Sequence, residues 1–143
     1  MHGTAELSLR NSLEELDRLH AVIEDFGERH GLPARVVFEL TLALDEWLTN
    51  IVSYGYDDGA PHTIAVRVRL DAPPGNGIVA VEIEDDARPF NPLDVPSPHL
   101  DVPLEERTIG GLGIHFIRRC MDEVAYERRG NRNVLLLQKR VVR

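Results

Sequence analysis

The sequence predicts an α+β domain: a two-layer α/β sandwich in which a mostly antiparallel sheet of four or five strands carries helices on one face. Three observations lead there. Alternating apolar and polar residues mark short strands, apolar residues at helical spacing mark two helices near the start, and turn-rich segments join neighbouring strands into hairpins. At 143 residues the chain suits one domain, residues 1–143, large enough for a core and too short for two catalytic domains. Its 43% hydrophobic and 28% charged content is that of a globular protein, and no apolar run approaches the length of a membrane span.

From the N-terminus, Ala5, Leu7 and Leu9 alternate with polar neighbours and give a first strand over Ala5–Arg10. Asn11 or Ser12 then caps a helix. Glu14 and Glu15 fall in its first turn, where the helix dipole favours acids, and Leu13, Leu16, Leu19, Ile23 and Phe26 form its apolar stripe. Gly31 ends it, and Pro33 suits the first turn of a longer helix. In that helix Val36, Val37, Leu40, Leu44, Leu48 and Ile51 recur at helical spacing as far as Gly55, while Glu39, Ala43, Glu46 and Asn50 form a second line that presents acid and amide.

Two strands follow, Thr63–Leu70 and Ile78–Asp85, joined by the turn-rich segment 71–77 into a hairpin. Val79, Val81 and Ile83 share one face, and period two places Asp85 on it as well. A carboxylate there needs a donor from protein or ligand, unless the strand has ended and Asp85 caps the next loop; both readings stay open at this point. Between Ala87 and Ile109, five prolines exclude a continuous helix or a central strand, and a connection of that length in a small domain fits a lid over a ligand. A helix from Gly111 to Cys120 and two strands, Glu123–Arg128 and Asn133–Lys139, separated by Arg129-Gly130-Asn131, complete the chain.

The chemistry concentrates in two places. Glu46 and Asn50 stand one helical turn apart, and Ile109-Gly110-Gly111-Leu112-Gly113-Ile114 opens directly into a helix. A glycine loop at a helix N-terminus offers free N–H groups and the positive end of the dipole to an anion such as a polyphosphate. A carboxylate and a carboxamide on one face could serve a metal ion or a proton transfer. Each feature alone is ordinary, since spaced polar residues usually form a solvated face and glycine pairs usually mark turns. Their conjunction points to a nucleotide site.

Other chemistries lack their residues. No Walker A sequence is present, and Gly111-Leu112-Gly113 has neither the third glycine nor the preceding βα context of a dinucleotide fingerprint. The six histidines do not cluster with Cys120 at metal-ligand spacing, and no serine sits in a nucleophile elbow. A net charge of −8 argues against a general nucleic-acid binder and is compatible with a protein partner carrying basic patches. One cysteine permits no intrachain disulfide, and the first residues lack the basic and apolar regions of a secretory leader; the expectation is a cytoplasmic protein without membrane contact.

In order, Glu46-x-x-x-Asn50, then Asp85-Asp86-Ala87-Arg88-Pro89-Phe90-Asn91-Pro92, then Gly110-Gly111-Leu112-Gly113-Ile114 resemble the GHKL ATPases of the Bergerat fold. Within that group the chain is most similar to the bacterial anti-sigma-factor serine/threonine kinases. The likeness spans almost the whole chain, including Met121-Asp122-Glu123-Val124-Ala125-Tyr126 ahead of the last two strands. It implies ATP or ADP with Mg2+ as the bound species. By this resemblance Asn50 would coordinate magnesium and Asp85 would bind the adenine amino group, with Ala87 and Phe90 in the adenine loop. The backbone from Gly110 through Gly111, Leu112, Gly113 and Ile114 would hold the phosphates, and Glu46 would be the general base. Arg88 and Arg107 border the lid and could assist phosphate binding by charge. The family has glycine where this chain has Ala87; alanine tolerates a positive φ less well, so the exchange implies a reshaped loop or a weaker adenine contact.

The function so implied is an ATP-dependent serine/threonine protein kinase that phosphorylates an anti-sigma-factor antagonist. It would separately sequester a sigma factor or a comparable regulator, without direct contact to nucleic acid, and the resemblance also implies a homodimer. The alternative is a nucleotide-gated binding module that sequesters its partner without appreciable transfer. Glu46 discriminates between them, because a pure binder needs no base. A detached catalytic domain of a sensor histidine kinase fits less well, since no phospho-accepting helix precedes the motifs.

Overall fold

A computed structural model describes residues 2–71, 76–94 and 111–142. Five strands, β1 (His2–Arg10), β2 (Thr63–Asp71), β3 (Asn76–Asp85), β4 (Glu123–Arg129) and β5 (Arg132–Val142), form one sheet in the order β1-β2-β3-β5-β4. Every neighbouring pair is antiparallel, and two of the four, β2–β3 and β4–β5, are the hairpins that the turn signals indicate. Three helices, α1 (Leu16–Arg29), α2 (Ala34–Asn50) and α3 (Gly111–Cys120), complete the α+β arrangement predicted from the sequence.

Strand alternation decides which side the helices cover. Ile64, Val66, Val68 and Leu70 of β2, Val79, Val81 and Ile83 of β3, and Leu135 and Leu137 of β5 are buried against Leu19 and Ile23 of α1, Leu40, Leu44 and Leu48 of α2, and Ile117 of α3. The intervening residues form a charged outer face. There Arg67 meets Glu82 at 2.8 Å and Arg132 meets Glu84 at 2.6 Å, pairing charges across neighbouring strands. The tight β4–β5 turn uses Gly130 at φ +60°, a left-handed conformation that suits glycine.

Three local readings need correction or sharpening. Leu13 is not part of the buried stripe: it lies in a 3-10 turn, Leu13–Glu15, ahead of α1, and is 50% exposed. Ser12 caps that turn, its Oγ accepting the Glu14 N–H at 3.3 Å. Glu15 is buried instead, where it accepts the Arg10 backbone N–H at 3.0 Å. The second line on α2 is only partly a polar face: Ala43 is fully buried, and Glu39 is tied between Arg35 at 2.8 Å and Lys139. Finally, α2 ends at Asn50, and Ile51–Gly55 continue as a wider π turn.

Of the proline-rich connection expected to serve as a lid, Pro92–Asp94 form one 3-10 turn, and residues 95–110 lie outside the described residues. No described helix is long and apolar enough to cross a membrane.

Candidate functional site

Helical spacing builds one wall of the site. Trp47, Asn50, Ile51 and Tyr54 recur at i, i+3, i+4 and i+7, and all four line a cavity of about 250 Å³ between the end of α2 and the end of β3. The π turn carries this face past Asn50 to Tyr54 and Gly55; such turns are recurrent at functional sites because the extra residue re-aims the side chains that follow. The opposite wall consists of Asp85, Ala87, Arg88 and Phe90 with Asn133 of β5. Phe90 closes over Trp47, the two rings 5.9 Å apart and tilted by 39°.

Asp85 is the centre of the polar chemistry. It is 1% exposed, and both readings of it from the sequence hold in part: it ends β3 on the buried face, and its Oδ1 also accepts the Ala87 N–H at 3.0 Å, shaping the loop that follows. Burial pushes its carboxyl above the ordinary value, while hydrogen bonds from Asn133 and Ala87 oppose the shift. Its Oδ2 has no partner. A buried carboxylate oxygen left open beside a largely apolar cavity fits a ligand that brings an N–H donor, and an exocyclic amine on a planar base is such a donor.

Asn133 holds the other oxygen. Sheet register sets it opposite Asp85 on β3 and Arg128 on β4, so the three stand in one row across three strands. Its Nδ2 donates to Asp85 Oδ1 at 2.9 Å and to the Arg88 carbonyl at 2.9 Å, and its Oδ1 accepts from the Tyr126 hydroxyl and from Arg128 at 3.1 Å. Arg128 also donates to the Ala87 carbonyl at 2.9 Å. Asn133 was not among the residues singled out from the sequence. Its signal was the same as that of Asp85: period two in β5 puts it on the face of Leu135 and Leu137.

A second set of bonds pins the loop from the side of the π turn. The Arg88 N–H donates to the Gly55 carbonyl at 3.2 Å. The Tyr56 hydroxyl donates to Asp86 Oδ1 at 2.9 Å, and the Tyr56 ring stacks on His62 at 4.1 Å. His62 has a carboxylate at each ring nitrogen, Asp86 at 3.1 Å from Nδ1 and Asp58 at 2.8 Å from Nε2. Two acceptors suit the doubly protonated ring, and Asp58 and then Asp86 raise its pKa above the ordinary 6.5. A raised native pKa means that this contribution to stability is fully present below about 6.5 and is lost as pH rises through the raised value. The thermal midpoint is therefore expected to fall across that window, and His62→Gln to flatten the fall, measured by thermal unfolding at a series of pH values.

Ala87 fits without strain. Among the described residues no non-glycine has a positive φ, so the reshaping expected from the alanine does not take the form of a left-handed backbone. Its methyl is accommodated by the missing side chain across the loop: a β-carbon on Gly55 would lie 2.8 Å from that of Ala87. Gly55→Ala is expected to destabilise the fold by about 1–3 kcal/mol through overpacking, and Ala87→Gly in the same chain to recover most of the loss, measured by chemical denaturation.

The structure thus gathers Asn50, Asp85, Ala87, Arg88 and Phe90 around one cavity and adds Trp47, Ile51, Tyr54, Gly55 and Asn133. Glu46 is half-buried, one residue before Trp47, where the lining of α2 begins. Gly111, Leu112, Gly113 and Ile114 form the first turn of α3, which packs on α2; Gly110 and Arg107 lie outside the described residues.

Comparison with known proteins gives the family. Residues 9–139 match the sequence profile of the histidine kinase-like ATPase domain. The serine/threonine-protein kinase BtrW of Bordetella bronchiseptica is 33% identical over 115 residues, which cover 80% of this chain and 78% of BtrW. Among solved structures, that of the RsbU and RsbW domains of Rv1364c from Mycobacterium tuberculosis superposes with a TM-score of 0.70 over 99% of this chain at 15% identity, and this chain spans 33% of that one. The structural likeness carries the fold, and the sequence match carries the kinship: this chain belongs to the histidine kinase-like ATPase domain family.

Proposed function

We propose that this protein is an ATP-dependent serine/threonine protein kinase that phosphorylates an anti-sigma-factor antagonist and separately sequesters a sigma factor or comparable regulator, as in partner switching. The observation that carries the nucleotide reading is the unpartnered Asp85 Oδ2 beside an apolar cavity whose other wall bears Asn50. Kinship with a serine/threonine-protein kinase supports transfer to a protein hydroxyl.

The roles proposed for the residues are these. Asp85 receives the amino group of adenine, and Asn133 keeps its other oxygen occupied, so only one acceptor faces the base. Asn50 would hold magnesium through its amide oxygen, and the ion supplies charge neutralisation at the phosphates when bound. The first-turn N–H groups of α3, Gly111 to Ile114, have no partners within their own helix and suit phosphate oxygens. Glu46, one turn before Asn50, takes the proton of the attacking hydroxyl. The aromatic rings of Trp47 and Phe90, tilted against each other, would help to exclude water from the base.

The test is transfer. The protein, magnesium and labelled ATP are incubated with antagonist proteins encoded in the same genome, and label on a serine or threonine of one of them is the expected result. Nucleotide binding without transfer to any of them would make the protein a nucleotide-gated binder instead. Failure to bind both ATP and ADP would overturn the site.

A further inference from the structure

Two buried side-chain polar atoms among the described residues lack any hydrogen-bond partner: Asp85 Oδ2 and Trp47 Nε1. One is an acceptor and the other a donor, and both belong to residues lining the same cavity, on opposite walls. The indole is 1% exposed, so bulk solvent does not reach its N–H. A buried N–H without a partner is uncommon and costs free energy, and a phenylalanine or leucine at this position would fill the wall without that cost. The placement makes sense if a ligand brings the missing acceptor.

We propose that Trp47 is a specificity-determining contact of the base, its Nε1–H donating to a ring nitrogen of the adenine whose amino group Asp85 receives. This rests on the nucleotide reading above and extends it. Adenine carries such a complement, an exocyclic N–H donor with unprotonated ring nitrogens at N1, N3 and N7. Binding then satisfies both orphan atoms at once, and a ligand with a donor on each side leaves the indole unpaired. Trp47 sits between Glu46 and Asn50 on α2, so contact with the base also fixes the distance of those two side chains from the rest of the ligand.

Because the chain contains one tryptophan, its indole N–H gives a single resonance in a proton–nitrogen correlation spectrum. Saturation with ADP is expected to move that resonance downfield and slow its exchange with solvent. Trp47→Phe is expected to weaken ADP binding about fivefold to tenfold, the loss of one hydrogen bond. Of the 1-deaza, 3-deaza and 7-deaza analogues of ADP, one is expected to lose a similar factor against the wild-type chain and almost nothing further against Trp47→Phe. An indole resonance unchanged at saturation overturns the contact, as does a deaza penalty of equal size in both proteins. The resonance is read on the wild-type chain and so does not depend on the variant folding. If the wild-type chain binds no ADP, the nucleotide reading fails and the contact fails with it; binding without an indole response overturns the contact alone.

Discussion

Glu46→Gln is expected to lower phosphoryl transfer to the protein substrate by about 10²–10⁴-fold, the usual range for loss of a general base, while nucleotide affinity changes little. Glutamine keeps the length and helix preference of glutamate, so α2 is preserved and only the proton acceptor is lost. The separation of the two effects comes from position. The cavity lining on α2 comprises Trp47, Asn50, Ile51 and Tyr54; Glu46 is not part of it and stands at its edge, about 40° around the helix from Asn50 and about 100° from Trp47. Single-turnover transfer and calorimetric titration with ADP, run on the same protein, read the two separately. A parallel loss of affinity and transfer would place Glu46 among the nucleotide contacts. Unchanged transfer would remove it from the chemistry.

What could be read from the sequence was whatever local periodicity encodes. The alternation of Val79, Val81 and Ile83 was enough to bring Asp85 to the buried face, and the helical spacing of Leu40, Leu44 and Leu48 was enough to orient α2. The motif order then pointed to the family, and of the cavity walls it named Asn50, Asp85, Ala87 and Phe90. What escaped depends on contacts between distant segments. Asn133 acquires its meaning only from the β3–β5 register that sets it opposite Asp85, and the spacing of one strand says nothing about which neighbour it will meet.

The same limit explains Ala87. Judged alone it is a departure from glycine, and its consequence lies 32 positions away, in the bare α-carbon of Gly55. The π turn escaped for another reason: Ile51–Gly55 continue the apolar spacing closely enough that a single extra residue per turn leaves no mark in the pattern. Trp47 was not singled out from the sequence, because an unpaired N–H leaves no mark in a residue pattern.

Asp85→Asn is expected to reduce ADP affinity by about 100-fold or more while leaving the unliganded fold as stable as before or more stable. The two signs have one cause. Asn133 Nδ2 and the Ala87 N–H both donate to Oδ1, so an asparagine at this position must keep its carbonyl oxygen there and turn its NH2 toward the place now held by Oδ2. A donor then faces the amino group of the base, which costs the charge-assisted bond and adds a clash of two donors. Without ligand the balance reverses. Burial raises the Asp85 pKa, so above the ordinary 3.8 the ionised carboxylate opposes folding, increasingly as pH rises toward the native value, and a neutral amide removes that opposition. Calorimetry with ADP and thermal unfolding of the unliganded chain at neutral pH read the two halves. Retained affinity would show that the base is not read by Asp85, and a large loss of stability would show that its charge is needed by the fold rather than held for a ligand.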